Sequence, residues 1–170
     1  MDSIFNIYLY RFFPLILLFF LWDSPHASAQ EHPPKPVSLV TFQNISFGGF
    51  AQGSFGGTVT VSSSGIRSST GDIILLNLGF TYGPAVFEAD ANPGTIISLS
   101  LGPDVELTGS NGGSLMLHLE DPSPGFSFVT SVTPPTTTQI SVGGTLTVGS
   151  SAANPPGAYN GSFFIIVNQE

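Results

Sequence analysis

The chain has 170 residues, with 11 acidic and 3 basic side chains and no cysteine. A formal net charge of −8 argues against a nucleic-acid partner, whose phosphates need a basic surface, and the missing thiols remove disulfide scaffolds, thiolate metal sites and cysteine nucleophiles. Its 20 glycines and 14 prolines make one residue in five a turn former, yet its aromatic and β-branched content is that of a folded domain.

Residues 1–29 read as a secretory signal peptide. Arg11 precedes the apolar run Phe12–Trp22, Asp23-Ser24-Pro25 breaks it, and Ala27-Ser28-Ala29 offers a small-residue cleavage site. The run falls short of the roughly 20 apolar residues of a membrane span. The mature form is therefore expected to lack one and to be exported, to the periplasm, the cell surface or the medium. Residues 30–36 hold Pro33, Pro34 and Pro36 and are expected to form an extended, solvated arm. Residues 37–170 remain as a single domain.

From Val37 onward the apolar residues come in short runs separated by Gly, Pro or Asn. Val37–Ser46 is the first expected strand. Gly57–Ser62 places Val59 and Val61 on one face and Thr58 and Thr60 on the other. Asp72–Leu78 reads as a strand covered on both faces. Ala85–Asp90 alternates Ala85, Phe87 and Ala89 with Val86, Glu88 and Asp90. Ile97, Leu99 and Leu101 mark the next strand, followed by Val105 and Leu107, then by Leu115, Leu117 and Leu119, then by Phe126 and Phe128. Gln139–Val142 and Thr145–Val148 flank Gly143-Gly144, a two-residue spacer of the kind that closes a β-hairpin. Ser162–Asn168 is apolar on both faces and is expected inside a sheet or against another layer. Nine or ten short strands with such regular turn signals predict an all-β sandwich or barrel.

Little of this sequence looks catalytic. After cleavage the histidines are His32, in the arm, and His118, mid-strand and opposite the Leu115/Leu117/Leu119 face, at a surface or edge position. A hydrolytic triad needs a histidine set between a carboxylate and a nucleophile, and Gly-x-Ser-x-Gly is absent. Glu88, Asp90 and Asn92 at i, i+2 and i+4 are the nearest approach to a calcium site, but the Gly and Glu positions of a calcium loop do not follow. Asp104, Glu106, Glu120 and Asp121 form a second acidic group. Arg67, in the stretch Ser64–Gly71 read as a turn, is expected to pair with Asp72 or a carbonyl. No phosphate-binding loop is present. We expect no enzyme, no metal and no cofactor.

Three segments together carry a resemblance: Ile45-Ser46-Phe47-Gly48-Gly49-Phe50, Gly56-Gly57-Thr58-Val59-Thr60-Val61-Ser62, and Pro156-Gly157-Ala158-Tyr159-Asn160-Gly161-Ser162-Phe163-Phe164-Ile165-Ile166-Val167. They resemble a family of secreted bacterial domains of unknown function, with a Phe-Gly first strand and a C-terminal Gly-x-Tyr-x-Gly strand. That family is similar to the spore-coat-U-like pilins of archaic chaperone–usher systems, which commonly carry cysteines near the first strands, as this chain does not. The resemblance implies an immunoglobulin-like antiparallel β-sandwich with an exported, structural and fimbrial-like role. It also implies protein partners, through β-strand addition or self-association, with the N-terminal region as donor. The competing expectation, which we favour because the arm is only seven residues long and polar, is that Val37–Ser46 pairs within its own chain. The alternative function is a soluble extracellular module that binds glycan or protein through loops at one end of the sandwich.

If Ala27-Ser28-Ala29 is cut, the exported protein begins at Gln30. Intact-mass spectrometry of the secreted product checks this, and a soluble product still carrying its leader would refute it.

Overall fold

The computed structural model describes residues 35–170. Expected signal-peptide features and most of the arm, His32 included, lie outside these residues. The described chain is all-β: β1 (Ser38–Gln43), β2 (Ser46–Phe47), β3 (Phe50–Val61), β4 (Arg67–Leu75), β5 (Tyr82–Gly83), β6 (Ala85–Asp90) and β7 (Ile96–Leu101) make its first half. In the second half come β8 (Val105–Gly109), β9 (Ser114–Leu119), β10 (Ser127–Val129), β11 (Thr138–Val142), β12 (Gly144–Val148), β13 (Tyr159–Asn160) and β14 (Ile165–Gln169).

Six strands form the main sheet in the order β13-β8-β9-β12-β3-β4. Two three-stranded sheets, β1-β6-β11 and β10-β7-β14, and a small β2-β5 ribbon complete a sandwich. Every strand pair is antiparallel. Alternation decides which side chains go inside. Leu115, Leu117 and Leu119 are buried, while Ser114, Met116 and His118 between them are exposed. Ala85, Phe87 and Ala89 are buried on β6, and Ile97 and Leu99 on β7. In register, Val59, Leu146, Leu117 and Val105 stand side by side across four strands. A row of this kind removes whole aliphatic side chains from water, at about 1.5–3 kcal/mol for each one fully buried.

The opposite face of the main sheet is hydroxylic. Thr58 and Thr70 share a 2.7 Å hydrogen bond, as do Thr60 and Thr145, and Thr145 also donates to Glu120 at 2.6 Å. Threonine suits such positions because its branched side chain packs on the pleat while the hydroxyl meets a cross-strand partner.

Two expectations are corrected, and a third, that Ser162–Asn168 lies inside a sheet or against another layer, is met on one face only. Gly143-Gly144 is no hairpin turn: β11 pairs with β6, whereas β12 pairs with β3 and β9 in another sheet. Neither glycine has the positive φ that a two-residue hairpin demands. The chain instead runs straight from one sheet into the other, with Ile140, Val142, Leu146 and Val148 all buried. A Cβ on Gly143 would come within 2.5 Å of the Val61 carbonyl oxygen and 2.7 Å of the Ser63 nitrogen. Close approach is what the glycine serves. Second, Asp72–Leu78 is not covered on both faces, because β4 is the edge of the main sheet and ends at Leu75. Ile73 is buried there, while Ile74 and Leu78 are each 67% exposed. Third, β14 has β7 as its only sheet neighbour among the described residues. Phe163, Ile165 and Val167 pack against the core, but Phe164 and Ile166 face solvent. The first strand, β1, pairs with β6 of its own chain.

Gly143→Asn separates the crossover from a hairpin. A turn would accept asparagine, whereas here the new side chain meets the Val61–Ser63 backbone. We expect a loss of about 1–3 kcal/mol, the usual size of overpacking, seen as a lower Tm in thermal denaturation. An unchanged Tm would contradict the crowded crossing.

Candidate functional site

A groove of about 1130 Å³ opens on one side of the sandwich. One wall is the Ile45–Gln52 stretch with Phe80 and Thr81, and the other is the segment from Pro155 to Phe164. The buried side chains of Leu107, Leu115, Leu117, Leu146, Phe47 and Phe87 reach its base. Its rim carries amides and hydroxyls, from Asn44, Ser46, Gln52, Asn160 and Ser162. Among the described residues, none that lines it is Asp, Glu, His, Lys or Arg. The lining therefore holds no acid, base or cation to activate a hydroxyl or fix an ionic ligand. It suits an uncharged, partly apolar occupant.

Each wall has a local cause. Gly48 takes a φ of +67°, open to glycine, and turns the chain between β2 and β3. On the other wall, β13 pairs with Thr108 and Gly109 of β8. A Cβ on Gly161 would lie 2.5 Å from Cδ2 of Leu107, so this wall passes directly over a residue at the groove base. The Tyr159 hydroxyl donates to the Pro155 carbonyl at 2.7 Å and tightens the loop before β13. Deeper in the same loop, buried Asn154 accepts from the Gly149 amide at 2.5 Å, and its own carbonyl accepts from the Gln52 side chain at 2.6 Å. The two walls are thus joined by Gln52.

The sequence-derived acidic residues lie apart from this groove. Glu88 and Asp90 point away from the core on β6, and Asp90 Oδ2 accepts from Lys35 Nζ at 2.6 Å. Asp90 Oδ1 has no hydrogen-bond partner among the described residues. Asn92 lies in the turn after β6, where its backbone carbonyl accepts from the buried Thr130 hydroxyl at 2.5 Å. In the second group, Asp104 binds His118 and Glu120 binds Thr145. Among the described residues no three His, Cys, Asp or Glu side chains gather in a way that could hold a metal ion.

Arg67 is the first residue of β4 rather than part of a turn. Its expected carbonyl pairing is present threefold, to Phe47, Gly49 and Leu76. His118 is exposed on the outer face of β9, an inner strand of the main sheet, and its Nδ1 lies 2.7 Å from Asp104 Oδ1. That hydrogen bond holds the imidazole above its ordinary pKa, against slight desolvation, with the charges of Asp104, Glu120 and Asp121 adding to it.

Sequence reasoning missed the groove, although two of its quoted segments form the walls. It also missed a repeat, Gly56-Gly57-Thr58-Val59-Thr60-Val61 and Gly143-Gly144-Thr145-Leu146-Thr147-Val148. The two copies pair antiparallel in the structure, Thr58 with Thr147 and Thr60 with Thr145.

Fold and groove together define an antiparallel β-sandwich with an uncharged cleft opening onto its core. The chain belongs to the DUF4402 family, a domain of unknown function, whose model matches residues 37–169. No curated protein and no solved structure matches it. Among the described residues no helix is long and apolar enough to cross a membrane.

The His118–Asp104 pair gives a signed pH effect. A raised folded pKa means that its stabilisation is full below the unfolded histidine value and fades as pH rises through the folded one. Both side chains are more than half exposed, so the pair contributes at most about 1 kcal/mol. An NMR titration should place the His118 midpoint above that of a free histidine, and Asp104→Asn should bring it down. A midpoint unmoved by that change would break the assignment.

Proposed function

We propose that this chain is an exported, non-enzymatic structural domain of the bacterial surface or periplasm, a fimbrial-like subunit that assembles when a second copy adds a β-strand at its groove. The groove carries this reading, because its base is the core itself and its lining is uncharged. It runs beside β13, an edge strand of the main sheet, and reaches Phe164 just before β14, an edge of another. Main-chain hydrogen bonds at such an edge supply affinity, and alternate side chains of an added strand fill the pockets below. The resemblance to spore-coat-U-like pilins supports the same mode. The N-terminal region of the second copy, still paired with its own β6, is the donor we favour. Among the described residues its β1 is bonded on one side only, and it turns Val40 and Phe42, 60% and 67% exposed, toward solvent. A second reading, a soluble module that binds glycan or protein, draws on the amide rim of Asn44, Gln52 and Asn160 beside the Tyr159 ring.

Ile166→Lys tests assembly without touching the core. Ile166 is 48% exposed on β14, and a lysine on an edge strand opposes strand pairing. Light scattering should show concentration-dependent multimers of the exported protein, and a monomer of unchanged Tm for the variant. A natural protein that stays monomeric at every concentration would overturn the assembly reading and favour the binding module.

A further inference from the structure

The β2-β5 ribbon belongs to none of the larger sheets. Its register is two pairs long, Ser46 with Gly83 and Phe47 with Tyr82. Yet this ribbon and the turns beside it, through Ser46–Phe50, Phe80 and Thr81, supply one wall of the groove. So short a ribbon needs ties beyond its own register: buried Phe47 seats it on the core, and Arg67 fastens its backbone from outside. From β4, Nη1 donates to the Phe47 carbonyl at 2.9 Å and to the Gly49 carbonyl at 3.4 Å, while Nη2 donates to the Leu76 carbonyl at 3.0 Å. The guanidinium also sits 4.4 Å from the centre of the Tyr82 ring. One side chain thereby holds both strands of the ribbon and the segment that leaves β4 toward it. Lesser ties are the Ser46 hydroxyl to the Thr81 carbonyl, 2.8 Å, and the Leu76 amide to the Gly49 carbonyl, 2.9 Å. Room for the guanidinium depends on Gly48, where any Cβ would strike Nη1.

We propose that Arg67 is the positioning residue of the groove: it lines none of it, but clamps the β2-β5 ribbon as a movable wall that opens when the clamp is broken. Hydrogen bonds from a charged donor are stronger than neutral ones, and the rigid fork of arginine reaches carbonyls in two directions at once. Lysine, a single point charge on a flexible stem, cannot reproduce that geometry. The inference rests on the groove being a binding site, but its readout needs no occupant.

Amide hydrogen exchange on the full chain tests it, with Arg67→Ala, Arg67→Lys and Gly48→Ala, alongside anilinonaphthalene sulfonate as an apolar probe of the groove. With the clamp lost, amides in residues 45–50 and 76–83 should exchange about tenfold faster or more, as expected when charge-assisted bonds go. Amides of β3, β9 and β12 should keep their protection, and probe fluorescence should rise. Arg67→Lys should resemble Arg67→Ala, and Gly48→Ala should move the same amides in the same direction. Equal acceleration across every sheet would reduce Arg67 to general stabilisation and overturn the proposal. So would an Arg67→Lys protein that behaves like the natural one. Should Arg67→Ala fail to fold, Arg67→Lys carries the same comparison, because Gly48→Ala also strains the turn at φ +67°. The assembly reading fails separately, on the oligomeric state of the natural protein.

Discussion

A single extended run of backbone, Thr138–Val148, belongs to two sheets at once, and the rest of the sandwich is arranged around that constraint. Its first half pairs with β6 and its second half with β3 and β9. Side chains alternate along a strand with a period of two, so the face set by Ile140 and Val142 continues through Gly144 to Leu146 and Val148. Both sheets must therefore close on the same core. The crossing brings this backbone against Val61–Ser63, where only a glycine leaves enough space. A strand that switches sheets at a corner is a recognised way to join two layers, and here it also delivers Leu146 to the base of the groove.

Charge is kept out of this interior and handled at its margins. An unpaired carboxylate would cost several kcal/mol to bury, and every acidic residue near the core is turned outward or given a partner, Asp90 with Lys35 and Glu120 with Thr145. Arg67 is the exception that shows the rule. It reaches inward, but into carbonyl oxygens and the face of Tyr82, which offer negative potential without a formal charge. The uncharged groove is thus bounded by a cation that never enters it.

Most strands and their facing were legible because alternation is local, although the start of β4 at Arg67 was read as a turn. The Leu115/Leu117/Leu119 face, the Ala85/Phe87/Ala89 face and the Val59/Val61 face all stood as their spacing implied. Partnership was not legible, because pairing depends on residues far away in sequence. Gly143-Gly144 shows why. The same dipeptide suits a tight turn or a crowded straight crossing, and only its neighbours, Val61 and Ser63, decide between them. Likewise, an unbroken apolar run such as that near Ile73 and Ile74 does not say whether a second layer lies over it, and here none does over Ile74. Arg67 was seen to want a carbonyl, but its three acceptors lie 20, 18 and 9 residues away.

The groove escaped sequence reading for the same reason, since its walls come from residues 45–52, 80–81 and 155–164. Yet the first and last segments that carried the family resemblance face each other across it. Phe47-Gly48-Gly49-Phe50 stands on one side and Tyr159-Asn160-Gly161-Ser162 on the other, while the middle segment, Gly56–Ser62, lies in the sheet whose inner face continues to the groove base. Each glycine has a physical task there. Gly48 makes a left-handed turn and leaves room for a guanidinium, and Gly161 lets the backbone pass over Leu107. These walls carry Phe50, Phe80, Tyr159 and Phe163 beside small residues and amides, and the leucines at the base are already buried, so the open edge of β13 is the feature left costly in water. In the proposed assembly, an added strand is the occupant that satisfies this edge.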